Sequence, residues 1–403
     1  MSAVPLQEEV SGASAASTGK RFLSIYAASA GFDLVEELEH LSARAIEPNL
    51  FFNPRFLAPA MPRLDDRAVR LAVIRDGDET KSRLRLLAPF TVERAAPPFG
   101  VAVLRTWSNP FGPLGTPLVD CDDPAGVIGD FLDMLARPHL KLPRVLVLPE
   151  VRLDGPFAGL LGRHAEAYGL PLALANRVER PHLLATGSAD AYLREAVSGH
   201  HLRELQRLKR RLGEQGRLDY TVARAAEEVR LAIEAFLALE ASGWKGRART
   251  AMAIDRYRAA FVREAAQRLG ERGMCHVHQL ALDGKPIASL VVFVESGVAY
   301  TWKTAYDESL ARLSPGTLLM VEATRSLIDD PAIEMADSCA APDHPVMSRL
   351  WRERRPLGSL VIGLMPDVDR QVRQVASQLG LYRQTRNAVR ILRGRVKRAF
   401  GRS

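Results

Sequence analysis

The sequence predicts an α/β protein built on α+β-type mixed sheets, in two halves of similar element order, followed by a basic helix. Three observations carry this. Helix-period and strand-period segments alternate along both halves. Three consecutive strand-like runs, Met274–Leu282, Lys285–Glu295 and Val298–Ala305, are joined by the two-residue turns Asp283-Gly284 and Ser296-Gly297, the strongest short-range hairpin signal. The last 33 residues carry nine basic side chains and no acidic one.

In chain order, residues 1–20 read as a disordered leader, rich in Ala and Ser and without the apolar core of a signal peptide. The first half spans 21–177. Helices are expected over Phe32–Ala45 and Pro54–Met61, the second capped by Asn53 with Pro54 at its first position. Strands follow at Val69–Arg75, Leu84–Phe90 and Val101–Thr106, then an irregular Pro/Gly-rich segment from Asn109 to Pro117. Helix Pro124–Leu135, strand Arg144–Pro149 and helix Pro156–Tyr168 complete that half. The second half, 178–366, begins near Val178–Ala185, followed by a long helix over Ala189–Glu214. Strand Arg217–Ala223 and helices Ala226–Ser242 and Asp255–Glu271 lead into the three hairpin strands. Helix Gly316–Ile328, a short strand Ile333–Ala336, helix Pro345–Arg354 and strand Leu357–Ile362 close the unit. Residues 367–403 form the basic amphipathic tail.

Composition excludes several classes. The 403 residues carry a formal charge of +8 and are 47% hydrophobic, enough for real cores. Nearly all the excess charge lies after residue 370, so the body is close to neutral and nucleic acid is disfavoured as a partner. Cys121, Cys275 and Cys339 are far apart and odd in number, which fits neither a disulfide framework nor a zinc ribbon and suits a reducing compartment. His276 and His278 share a strand face without a third ligand, and His200 and His201 diverge on a helix; no metal is expected.

The order β-α-α-β-β-β-α-β-α-β of the second half, with Leu239-Glu240-Ala241-Ser242-Gly243-Trp244-Lys245-Gly246-Arg247, Tyr306-Asp307, Ser314-Pro315-Gly316 and Trp351, resembles the GNAT acyltransferases. Within them it is similar to the cellulose-biosynthesis CelD/BcsL and related acetyltransferases, as is Gly112-Pro113-Leu114-Gly115-Thr116-Pro117-Leu118-Val119 in the first half. The tandem arrangement is related to that of Fem-type aminoacyl transferases. The resemblance covers roughly residues 21–363. It implies two GNAT-like domains and direct acyl transfer from acetyl-CoA or another acyl-CoA to an amine or hydroxyl, on a small-molecule or saccharide acceptor of polysaccharide or envelope biosynthesis, in the cytoplasm. A Fem-like transferase using charged tRNA and a catalytically silent GNAT-like scaffold are the competing readings.

The acyl-CoA phosphate loop of typical members reads Arg/Gln-x-x-Gly-x-Gly/Ala. Here the turn is Arg312-Leu313-Ser314-Pro315-Gly316-Thr317, with a proline in place of the first glycine. Arg312 and the cap Ser314, with the amides of Gly316, Thr317 and Leu318, form the candidate anion cradle at a helix start; an ordinary capped helix is the alternative. His344 is the candidate base, oriented by Asp337 or Asp343, or else Asp343 caps the next helix and His344 lies at the surface. Lys303 and Asp307 are further candidates to bind or deprotonate the acceptor, Lys303 lying on the strand face opposite Trp302, with a solvated lysine and a turn aspartate as the alternative. Glu240, Trp244, Lys245, Trp302 and Tyr306 are the candidate acceptor contacts; for the first three the alternative is a helix capped by Gly243 with Trp244 against the core. The tail stripe Val372, Val375, Leu379, Tyr382 and Val389 opposite arginines suits an anionic membrane surface through 371–403, docking onto the body, or solvent.

Overall fold

The structure is a computed structural model that describes residues 6–9, 21–77 and 82–400, with side chains over 21–77 and 82–385. The expected leader lies outside these residues except for β1 (Leu6–Glu9), which pairs with β2 (Arg21–Ala27). Helices α1 (Ala30–Asp33) and α2 (Val35–Ala43) replace the single helix expected there, and α3 (Pro54–Leu64) starts on an Asn53 side chain that accepts from the Arg55 amide. Strands β3 (Arg70–Asp76), β4 (Arg83–Arg94), β5 (Ala102–Thr106) and the short β6 (Leu118–Val119) follow. Then come α4 (Pro124–Leu135), β7 (Val145–Arg152), α5 (Pro156–Ala167) and β8 (Leu172–Leu184).

The expected helix 189–214 is two helices, α6 (Ala189–Ala196) and α7 (Gly199–Gly213). Val197 is extended, and Ser198 caps α7 by accepting from the His201 amide. Next are β9 (Leu218–Ala223), α8 (Ala226–Ser242), α9 (Trp244–Arg247) and α10 (Arg256–Gly270). The three hairpin strands are β10 (Cys275–Leu282), β11 (Lys285–Glu295) and β12 (Val298–Tyr306). Both joining turns have positive φ at both central residues, as a two-residue hairpin requires: 49° and 78° at Asp283 and Gly284, 47° and 76° at Ser296 and Gly297. The chain ends with α11 (Pro315–Asp329), β13 (Met335–Asp337), α12 (Met347–Leu350), β14 (Glu353–Gly363) and α13 (Asp369–Phe400). Helix α12 is one turn where a longer helix is expected, because Glu353 onward extends to pair with β8.

The fourteen strands among the described residues form one mixed sheet, whose order is β1-β2-β3-β4-β5-β7-β14-β8-β13-β12-β11-β10-β9, with β6 beside β4. Read inward from either side, the order repeats. Four antiparallel strands (β2 to β5, or β9 to β12) meet one parallel neighbour, β7 or β13. The two halves then exchange strands: β14 lies between β7 and β8, and β8 lies between β14 and β13. The expected boundary at 177/178 therefore falls inside β8.

The helices α3, α8 and α10 share one apolar core between the halves. Phe56 stands edge-on to Phe261, Phe293 and Trp302, with ring centroids 5.2, 5.8 and 6.3 Å apart. The first turns of α13 dock onto the sheet through Val372, Val375 and Leu379, which pack with Val103, Val147, Ala175 and Val361. That half of the tail is core. The side chains expected on the stripe beyond 385, Val389 onward, lie outside the described residues. Among the described residues no helix is long and apolar enough to cross a membrane.

Candidate active site

The site is built where β12 and β13 part. Their parallel ladder pairs Val298, Ala299 and Tyr300 with Met335, Ala336 and Asp337. Strand β13 then stops while β12 runs six residues further, to Tyr306. Thr301 holds the mouth of the split: its hydroxyl donates toward the carbonyls of Ser338 (3.0 Å) and Asp337 (3.4 Å). On the other edge of β12, Thr301 pairs with Val292 and Lys303 with Val291, which leaves Trp302 as an extra, bulged residue.

The bulge corrects the expected alternation, because strict period two fails where one residue is added. Trp302 and Lys303 both lie against Phe111 of the first half. The Trp302 indole donates to the Phe111 carbonyl at 2.7 Å, and the Lys303 ammonium sits 4.5 Å from the Phe111 ring centroid. Trp302 is buried, with no face left for an acceptor. Burial, helped by repulsion from Lys245, pulls Lys303 down to a pKa of about 8. A half-buried amine so placed is suited to exchange protons near neutral pH.

The other candidate bases have structural partners. Asp337 is buried, faces Arg180 at 3.4 Å and accepts from the Cys339 amide at 2.7 Å. Asp307 accepts from the amide and hydroxyl of Ser309, the turn role. His344 Nδ1 accepts from the amides of Met347 (3.2 Å) and Val346 (3.4 Å), so the imidazole itself supports the start of α12. Burial lowers its pKa, with Asp343 opposing. Cys339 is held neutral by burial and by Asp337, which push its thiol well above the ordinary range.

The candidate acceptor residues cluster around a small recess of about 30 Å³ formed by Glu240, Trp244, Lys245, Thr304 and Tyr306. That is room for a water or two. Glu240 is buried and spent, accepting from Lys245 at 2.7 Å and from the Met252 amide at 2.8 Å. Trp244 is half exposed, its amide bound to Glu308 at 2.6 Å. Gly243 caps α8 with extended rather than left-handed backbone.

The expected anion cradle at α11 is not open. The amides of Thr317 (3.0 Å) and Leu318 (3.1 Å) both donate to the Ser314 carbonyl, so Gly316 alone of the three keeps a free direction. The Tyr306 ring lies over it: a Cβ on Gly316 would meet that ring at 3.1 Å. Ser314 holds a left-handed backbone and makes no side-chain cap. Arg312 lies on the preceding short 3₁₀ turn. In this arrangement the residues do not fit a pyrophosphate.

The large opening lies elsewhere. A cavity of about 1240 Å³ runs between the halves. Its walls come from both parallel splits, including Arg105, Ser108 and Glu150 of the first half and Cys339–Pro342 of the second, with α13 along one side. Arg180, buried at its wall, is paired with Glu150 and Asp337, which outweigh the cost of burial and raise its pKa. The charged residues of this wall, Arg67, Glu93, Arg94, Arg105, Glu150 and Arg180, carry no signal in the sequence. They come from many separate segments and share no local motif.

Residues 199–345 match the acetyltransferase (GNAT) domain family. That segment is a GNAT-type domain, and the chain is a transferase. No curated protein matches the chain in sequence. Among solved structures, FemX is similar over 85% of this chain and 98% of its own, at 10% identity and a TM-score of 0.54. The C-terminal domain of an inferred lysylphosphatidylglycerol synthetase from Agrobacterium fabrum is similar over 87% and 96%, at 13% identity and a TM-score of 0.50. At such identity these likenesses concern the fold alone. They extend over both halves, as the continuous sheet does.

Proposed function

We propose that the chain transfers an acyl group from an activated acyl ester to an amine or hydroxyl, at the β12/β13 split, with Lys303 as the base. The observation that carries this is a desolvated lysine beside the bulge of a GNAT-type split. Neutral Lys303 takes the proton of the acceptor N–H or O–H. The freed electron pair forms the bond to the acyl carbon, the bond from that carbon to the donor heteroatom breaks, and the proton passes from Lys303 to the leaving heteroatom. In this reading the acceptor enters on the side of the interdomain cavity, whose wall includes Cys339, a neighbour of Lys303. A saccharide or other envelope precursor fits a cavity of this size better than a small metabolite does. The setting proposed with it is the cytoplasm or the inner face of a membrane.

Acyl-CoA is the first donor to test, by calorimetric titration and by thiol release over candidate acceptors. Thiol release that depends on Lys303 supports the reading; acyl transfer that survives Lys303→Met sinks the assignment of the base. A second reading, transfer of an aminoacyl group from charged tRNA, is favoured by one observation: the Tyr306 ring over Gly316 closes the turn that acyl-CoA needs. It predicts no acetyl-CoA affinity even in Tyr306→Ala, and consumption of charged tRNA instead.

A further inference from the structure

The interdomain cavity is cationic beyond what its own carboxylates balance. Five arginines line it against two glutamates. Glu93 is shared, bound to Arg67 and 3.4 Å from Arg105, while Glu150 is taken by Arg180. Arg67 has a second partner in Asp65. Among the described residues, Arg94 and Arg383 bond only backbone carbonyls, those of Gly100 at 3.0 Å and Asn176 at 2.7 Å. A carbonyl satisfies a guanidinium N–H without neutralising its charge. Arg105 has one ion pair, its share of Glu93, with Glu150 and Tyr382 adding weaker attraction; burial and the nearby Arg67 lower its pKa all the same. Three guanidinium groups thus line one cavity without a carboxylate of their own, Arg94 exposed and Arg105 and Arg383 half-buried, and guanidinium forks are the usual partners of phosphate oxygens.

We propose that this cavity binds the acceptor through a phosphate group, held by Arg94, Arg105 and Arg383, with α13 as one wall of the site. The uncharged part of the wall is mixed, with Pro97, Pro110, Ala341, Pro342 and Leu379 beside Ser108, Asn176 and Ser359, and takes the uncharged body of the molecule. Arg383 comes from the C-terminal helix, which Val372, Val375 and Leu379 fix to the sheet. The tail therefore contributes a substrate contact, not only charge. Two sources share this chemistry, a soluble phosphorylated acceptor and a phospholipid headgroup. That the ligand is the acceptor rests on the acyl-transfer reading; the phosphate site does not.

The test uses the full chain and three probes: N-acetylglucosamine 1-phosphate, phosphatidylglycerol vesicles against phosphatidylcholine vesicles, and CoA. Binding is measured for wild type, Arg105→Gln, Arg383→Gln and the distant surface control Arg230→Gln, whose partner is the exposed Glu227. The expected result is binding of the sugar phosphate or of the anionic vesicles, weakened at least tenfold in both cavity variants and unchanged in the control. Sugar phosphate alone identifies a soluble acceptor, and anionic vesicles alone a lipid headgroup; either supports the site. Should Arg105→Gln fail to fold, Arg383→Gln decides, because it removes only a contact to the Asn176 carbonyl. Absence of binding by both phosphate probes, or binding indifferent to Arg383, overturns the proposal. CoA binding that depends on Arg105 and Arg383 and displaces the sugar phosphate assigns the cavity to the donor and overturns it too. Undiminished phosphate binding in Lys303→Met alongside lost transfer separates this site from the chemistry at the split.

Discussion

At the scale of single residues, Lys303 is the group on which the chemistry turns. Its folded pKa of about 8 lies below the ordinary lysine value of 10.5 because burial penalises the charged form. The sign for stability follows. Below about pH 8 both folded and unfolded chains hold the proton, and the full penalty applies. Between about 8 and 10.5 the unfolded chain binds more protons, so stability rises with pH. Lys303→Met removes the penalty and is expected to flatten that rise, measured by urea unfolding at pH 7, 9 and 10. The same substitution is expected to lower transfer about 100- to 10,000-fold, the usual weight of a general base. Tyr306→Ala uncovers Gly316 and is expected to strengthen acetyl-CoA binding at least threefold by calorimetry, if acyl-CoA is the donor. Residue-level chemistry was only partly legible beforehand. The titratable types were visible, but their partners were not: Asp337 finds Arg180 from position 180, and Trp302 finds the Phe111 carbonyl from the other half.

At the scale of elements, local signals and long-range pairing part company. The Asp-Gly and Ser-Gly turns between β10, β11 and β12 were readable because a two-residue hairpin needs left-handed backbone at adjacent positions, and the sequence supplies it there. The break between α6 and α7 also had a local signal, the Ser198-Gly199 pair, but the continuous helical periodicity on both sides masks it. The bulge at Trp302 had none, since only the register with β11 defines it. Helix α13 reads as amphipathic from its apolar spacing; that Val372, Val375 and Leu379 pack onto the sheet depends on apolar residues far away, such as Val147 and Val361. Leu379 is buried in that contact, so Leu379→Ala is expected to cost about 2–4 kcal/mol in denaturant unfolding. It is also expected to loosen the wall that carries Arg383.

At the scale of the whole molecule, the sequence suggested two similar halves, and the sheet shows them sharing strands. Two domains joined by a linker unfold separately; two halves that exchange β8 and β14 and bury α3 against α10 cannot. Residues 1–177 and 178–403, expressed apart, are expected to be insoluble or without a cooperative transition, whereas the full chain unfolds in one step by calorimetry. Strand exchange also explains why the cavity sits at the junction. Each half brings the end of its own parallel split to the shared strands, and the Cys339–Pro342 loop meets the first half there. The +8 charge takes on a more specific meaning as well. Part of it, through Arg383, belongs to the cavity itself.

The most direct test is the pH dependence of kcat/KM for acyl transfer, from pH 6 to 10, in wild type and Lys303→Met. A limb rising through about pH 8 in wild type, absent in a variant that still folds and still binds acceptor, is the predicted result. The same limb at the same height in the variant contradicts the account.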